Sequence, residues 1–143
     1  MLFTTSRKPS KNTRIFSKKI SNLLPDSIYL TRGKKGIEEL VEIARSKGYP
    51  KICIVTDKQG NPHLMRFITL NNENWNWAEE LKIKGVYLTK EKQKWNSINC
   101  PEELEKLFNT SSDEEAENKI LKQDNQIIFK NKEKVIVKIK LQE

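Results

Sequence analysis

Three short apolar runs alternate with two helix-length amphipathic segments in the first 56 residues, and this alternation constrains the fold more than any other feature of the chain. The runs at 2–5, 28–30 and 51–56 hold the β-branched and aromatic residues expected of strands. Between the first two, Phe16, Ile20, Leu23 and Leu24 recur at i, i+4, i+7 and i+8; Ser10 stands at the N-cap position and Pro25 stops the segment. Between the second and third, Ile37, Leu40, Val41 and Ala44 keep helical spacing, and Gly48 supplies the C-terminal stop. Strands joined through helices pair in parallel by right-handed crossovers. The expected class is therefore α/β, a mixed sheet flanked by helices, with the nearly all-apolar run at 51–56 as a central strand covered on both faces.

Beyond the turn Asp57-Lys58-Gln59-Gly60-Asn61-Pro62 the chain is expected to return as an antiparallel strand over 63–70. A polar stretch around Trp75 and Trp77 precedes a strand over 81–88, where Gly85 suggests a bulge. A short helix is expected over 101–108, an exposed acidic segment over 110–118, and a final hairpin from 126–130 and 134–141. In its last strand Val135, Val137, Ile139 and Leu141 alternate with Lys138 and Lys140. At 143 residues the chain has the length of one domain, with halves dividing near residue 70.

Charge is concentrated at one end. Residues 1–35 hold nine basic side chains against Asp26, a surplus of eight that equals the net charge of the whole protein, +8. The other 108 residues carry 18 basic and 18 acidic groups, and all five arginines precede residue 67. A basic field confined to one quarter of a chain implies a polyanionic partner.

Parallel strands bring their C-terminal loops to one sheet edge, where open α/β sheets bind ligands. Ser6-Arg7-Lys8-Pro9-Ser10, Thr31-Arg32-Gly33-Lys34-Lys35-Gly36 and Lys58-Gln59-Gly60-Asn61 should therefore meet. Two of these loops open helices, whose free N–H groups attract phosphate. Arginine forks onto phosphate or a guanine edge. The candidate nucleic-acid contacts are Arg7, Lys8, Ser10, Lys11, Arg14, Lys18, Arg32, Gly33, Lys34 and Lys35, with Lys11, Arg14 and Lys18 on the helix face opposite the apolar stripe.

Other chemistries lack their residues. The glycine loop at 32–36 has neither the glycine spacing nor the Lys-Ser/Thr ending of a nucleotide-binding P-loop. Asp113, Glu114, Glu115 and Glu117 have no histidine partner, and His63, the only histidine, faces no marked nucleophile. Cys53 lies in an apolar strand as a buried small hydrophobe, and two distant cysteines make neither a zinc site nor a disulfide framework. No catalytic or metal-ligating set is expected, and no cofactor. No run approaches the roughly 18 apolar residues of a membrane span, and Met1-Leu2-Phe3 opens without a charged leader, so a cytoplasmic chain is expected. Trp75, Trp77 and Trp95 are candidates either for the core or for stacking on unpaired bases.

Thr4-Thr5-Ser6-Arg7-Lys8-Pro9-Ser10, followed by Phe16, Leu24-Pro25, Thr31-Arg32-Gly33-Lys34-Lys35 and Gly60-Asn61-Pro62, resembles the Brix domain, specifically its short, single-domain archaeal members. The likeness covers residues 1 to about 70 well; the second half is matched loosely by Trp75-Asn76-Trp77 and Ile83-Lys84-Gly85-Val86. The Gly-Pro-Thr motif and basic C-terminal extension of longer eukaryotic members are missing. The resemblance implies ribosome biogenesis, binding to precursor ribosomal RNA, assembly proteins as further partners, and no small-molecule substrate. It also implies two similar halves, each akin to the anticodon-binding domain of class II aminoacyl-tRNA synthetases. Its motif falls on Arg7, Lys8, Pro9, Ser10, Arg32, Gly33, Gly60 and Pro62, whose glycines and prolines either shape loops or touch RNA. A protein-interaction module docking on an acidic assembly partner is the alternative.

Overall fold

The computed structural model describes residues 1–143. Its elements are β1 (Leu2–Thr5), α1 (Lys11–Leu23), β2 (Ile28–Tyr29), α2 (Ile37–Lys47), β3 (Lys51–Lys58), β4 (Asn61–Leu70), β5 (Trp75–Leu88), α3 (Glu102–Phe108), β6 (Asn118–Gln123), β7 (Gln126–Asn131) and β8 (Lys134–Leu141). One eight-stranded sheet runs β2-β1-β3-β4-β5-β8-β7-β6. β1 pairs in parallel with β2 and β3, as the helical crossovers require, and every later pairing is antiparallel.

The helices form for the reasons their sequences carry. In α1 Phe16, Ile20 and Leu23 are fully buried, and the Ser10 hydroxyl accepts from the Thr13 amide. α2 ends where Gly48 takes φ 79° and its N–H closes the last turn. α1 and α3 pack on one face of the sheet, sharing a core with Phe3, Cys53, Phe67, Phe129 and Val137. α2 covers Leu2, Ile52, Ile54 and Ile68 on the other.

Two strands exceed expectation. β5 begins at Trp75, six residues before the expected 81, and its first part hydrogen-bonds along β4 with half-exposed polar side chains. Such a strand shows no apolar alternation. β6 has only Ile120 and Leu121 as apolar residues and is held by pairing with β7 through a turn at Asp124, φ 52°. The expected bulge at Gly85 is present, where the β5–β8 register shifts between Ile83 and Gly85.

Candidate nucleic-acid interface

The three loops meet at the C-terminal ends of β1, β2 and β3. The Arg32 guanidinium donates from Nη1 to the Thr5 carbonyl at 2.9 Å and from Nε to the Lys35 carbonyl at 2.7 Å. Arg7 reaches the Lys34 carbonyl at 3.4 Å, tying the first loop to the second. The Ser10 amide donates to Asp57 at 2.6 Å and its hydroxyl to the Gly60 carbonyl at 2.9 Å, tying the first loop to the third. Asn12 adds a bond to Asn61 at 3.2 Å.

This geometry divides the ten sequence candidates. Arg7, Lys8, Lys11, Arg14 and Lys34 are exposed around the junction, with Arg14 also donating to the Pro9 carbonyl at 3.1 Å. Arg32 is 8% exposed and clamps the loops, with Nε and Nη1 spent on backbone carbonyls. The Ser10 amide and hydroxyl are both engaged in capping and loop closure. Gly33 sits at φ 56°, the left-handed region where a side chain is strained, so it shapes the turn. Lys35 folds back onto the Thr31 carbonyl at 3.1 Å. Lys18 is exposed but lies about 10 Å along α1 from Lys11, over the Tyr29 ring, away from the junction.

The basic side chains of the first 35 residues carry no ion pairs. None of the nine basic side chains of residues 1–35 has a carboxylate within 4.0 Å, whereas Lys51, Arg66, Lys106, Lys122, Lys130, Lys132 and Lys134 are all ion-paired. Burial, and then the neighbouring Arg7 charge, pull the Arg32 pKa below the ordinary arginine value. Two guanidinium groups held together without a counter-charge favour an incoming anion. The helix ends differ in what they offer. α1 has no acid in its first turn, while α2 has Glu38 and Glu39 there, so its positive end is already answered by carboxylates.

Two residues outside the ten complete the edge. A shallow depression is lined by Ser6, Arg7, Arg32, Gly36, Arg66 and Trp77. Arg66 of β4 stacks on the Trp77 ring at 4.1 Å while pairing with Glu80 at 3.2 Å. Arg66 was legible only as an outward position in an alternating strand. Trp75 and Trp77 share a strand face with ring centroids 5.8 Å apart, and Trp77 is 43% exposed. Trp95 belongs to the core, 4% exposed against Phe129, and is unavailable for stacking. No three His, Cys, Asp or Glu side chains converge into a metal-ligating group, and no helix is long and apolar enough to cross a membrane.

No protein-family model matches the chain. A probable Brix domain-containing ribosomal biogenesis protein of Pyrococcus horikoshii is 42% identical over 91 residues, 64% of this chain and 41% of that protein. Its namesake in Thermococcus kodakarensis is 40% identical over 91 residues, covering 64% and 44% of the two chains. The match thus spans less than half the length of these relatives. Two solved structures share the fold. The crystal structure of a probable ribosomal biogenesis protein from Aeropyrum pernix K1 has a TM-score of 0.78 at 24% identity, covering 98% of this chain and 93% of that one. That of Mil, an archaeal Imp4-like protein, has a TM-score of 0.77 at 22% identity, covering 100% and 97%. The resemblance to Brix domain proteins first carried by the loop motifs is borne out by these relatives.

Proposed function

We propose that this relative of Brix domain ribosomal biogenesis proteins is itself a ribosome biogenesis factor that binds precursor ribosomal RNA and assists its folding or processing without catalysing a reaction. Residues 1–143 act as one unit of two halves, about 1–70 and 71–143, each patterned on the anticodon-binding domain of class II aminoacyl-tRNA synthetases. It works in the cytoplasm, alongside other assembly proteins, with no cofactor or small-molecule substrate.

The observation that carries this reading is the unpaired state of the first 35 residues' cations at a junction built by three loops. Nine cations gathered in the first 35 residues against one acid, none of them ion-paired, make a local basic field that suits a polyanion. Arg7, Lys8, Lys11, Arg14 and Lys34 supply the phosphate contacts, while Arg32, Ser10, Gly33 and Lys35 hold the loops that present them.

Filter binding of ribosomal RNA fragments across a salt series tests this. About five phosphate contacts give a log–log slope of roughly −3.5 to −4.5, and Arg7→Ala/Lys34→Ala should flatten it by about 1.4–1.8. A flat salt dependence in the unmodified protein sinks the proposal. Nuclease-resistant co-purification with an acidic protein, in the absence of RNA affinity, would instead favour the docking-module alternative.

A further inference from the structure

The near-neutral balance of residues 71–143, 13 basic against 14 acidic groups, conceals an uneven placement of charge on the sheet. Residues 101–117 hold seven carboxylates against Lys106, and residues 118–141 hold seven lysines against Asp124 and Glu133. The acids lie on α3 and the loop after it, and α3 packs on the same core as α1. Ile83, Val86, Ile127, Phe129, Val137 and Ile139 turn toward that core. Strand alternation therefore sends the intervening residues to the opposite face. The one helix on that side, α2, packs over β1, β3 and β4. The face of β5, β8, β7 and β6 is left open.

The register fixes what it displays. Tyr87 lies opposite Lys138, Gly85 opposite Lys140, and Lys119 opposite Lys130. Lys82, opposite Leu64, continues the same face toward Arg66 and Trp77. Tyr87 is 53% exposed, more than either other exposed large hydrophobic side chain, Ile15 or Trp77. Gly85, two residues before it on the same face, leaves open space where a Cβ would stand. A flat aromatic ring beside a bare patch of backbone, flanked by lysines, suits a planar base stacked on the ring with its phosphates over the ammonium groups. Glu80 is engaged by Arg66 and Glu133 by Lys130, while Asp124 and Glu143 line a depression with Lys140 at the strand end.

We infer that this open face is a second RNA contact, which takes an unpaired stretch of the strand: a base stacks on Tyr87 above Gly85, and Lys82, Lys138 and Lys140 neutralise its phosphates. The inference rests on the RNA reading above and extends it from the loop junction across Trp77. A duplex hides its base faces, so the occupant is single-stranded. An acidic protein would satisfy the lysines but needs neither the exposed ring nor the bare glycine floor.

Fluorescence anisotropy with the full chain, a 12-nucleotide oligouridine and a hairpin duplex provides the test. Tyr87→Ala should weaken oligouridine binding by about five- to a hundredfold, leave the duplex unaffected, and be rescued by Tyr87→Phe. Lys138→Glu/Lys140→Glu should flatten the oligouridine salt slope by about 1.4. Wild-type oligouridine affinity in Tyr87→Ala overturns the inference, and if Arg7→Ala/Lys34→Ala still loses ribosomal RNA, the broader reading stands without it. Polyglutamate displacing oligouridine from the wild type, with Tyr87→Ala indifferent to both, overturns it in favour of a protein surface. Failure of the wild type to bind any RNA overturns both.

Discussion

The Arg32 guanidinium donates to the Thr5 carbonyl at 2.9 Å across 27 residues of chain, joining the loop before α2 to the last residue of β1. Thr5 is fully buried, so its carbonyl has little access to water for a replacement partner. A second bond from the same side chain to the Lys35 carbonyl closes the loop on itself. Arg32 therefore builds the platform from which Arg7 and Lys34 reach solvent.

Arg32→Lys keeps the charge but cannot span both carbonyls with one ammonium group. Loss of charge-assisted bonds to buried acceptors should destabilise the protein by about 1–3 kcal/mol. Urea denaturation should show a lower midpoint at unchanged m, whereas an unshifted midpoint would return Arg32 to the list of free ligands.

Ser10→Ala removes the N-cap of α1 and the hydroxyl bond to the Gly60 carbonyl together. The cap alone contributes about 1 kcal/mol. Because the same residue ties two loops, the cost should exceed that figure, and a thermal melt that loses less would show that the Gly60 contact contributes nothing. Any fall in RNA affinity should be recovered where binding is measured well below the melting transition, since Ser10 offers no free donor.

Most of the first half was legible because its signals reinforce one another. Phe16, Ile20 and Leu23 mark one helix face, Ser10 and Pro25 mark its ends, and the parallel pairing follows from strands joined through helices. The meeting of the three loops was legible for the same reason. What the residues then do there was not, because charge and spacing cannot separate an arginine facing solvent from one turned onto a carbonyl. The early part of β5 escaped because Asn76 and Glu80 are placed by backbone pairing with β4, a force that leaves no apolar alternation. Net charge misled in the second half: it sums Lys138 and Lys140 with Glu102 and Glu103, which lie on elements at opposite faces of the sheet.

Both cysteines are buried and reduced. Burial pushes the Cys53 thiol far above its ordinary range, and burial together with Glu105 raises Cys100 to about 11. Native protein at pH 8 should resist iodoacetamide at both positions, and labelling of Cys100 before urea is added would contradict its burial. The linkage has a definite sign. An acid whose pKa is raised on folding holds its proton more tightly in the native state, so its contribution is complete below pH 9 and is lost as pH climbs toward 11. Stability measured from pH 8 to pH 10.5 should therefore fall.

Trp77 and Trp95 occupy opposite environments and can be told apart in solution. Trp95 is 4% exposed, packs on Phe129 and donates its indole N–H to Gln93 at 2.8 Å. Truncation to alanine there should cost about 3–5 kcal/mol. Trp77, 43% exposed beneath Arg66, contributes mainly a surface cation–π contact of about 0.5–1 kcal/mol, and Trp77→Ala should leave the fold intact. Iodide quenching separates them without relying on stability: the emission lost in Trp77→Phe should be the iodide-accessible part, and Trp95 emission should stay blue-shifted and protected. Bound RNA should shield Trp77 from iodide if the strand crosses it between the loop junction and the open face. Unchanged quenching in saturating RNA would place the strand's path elsewhere.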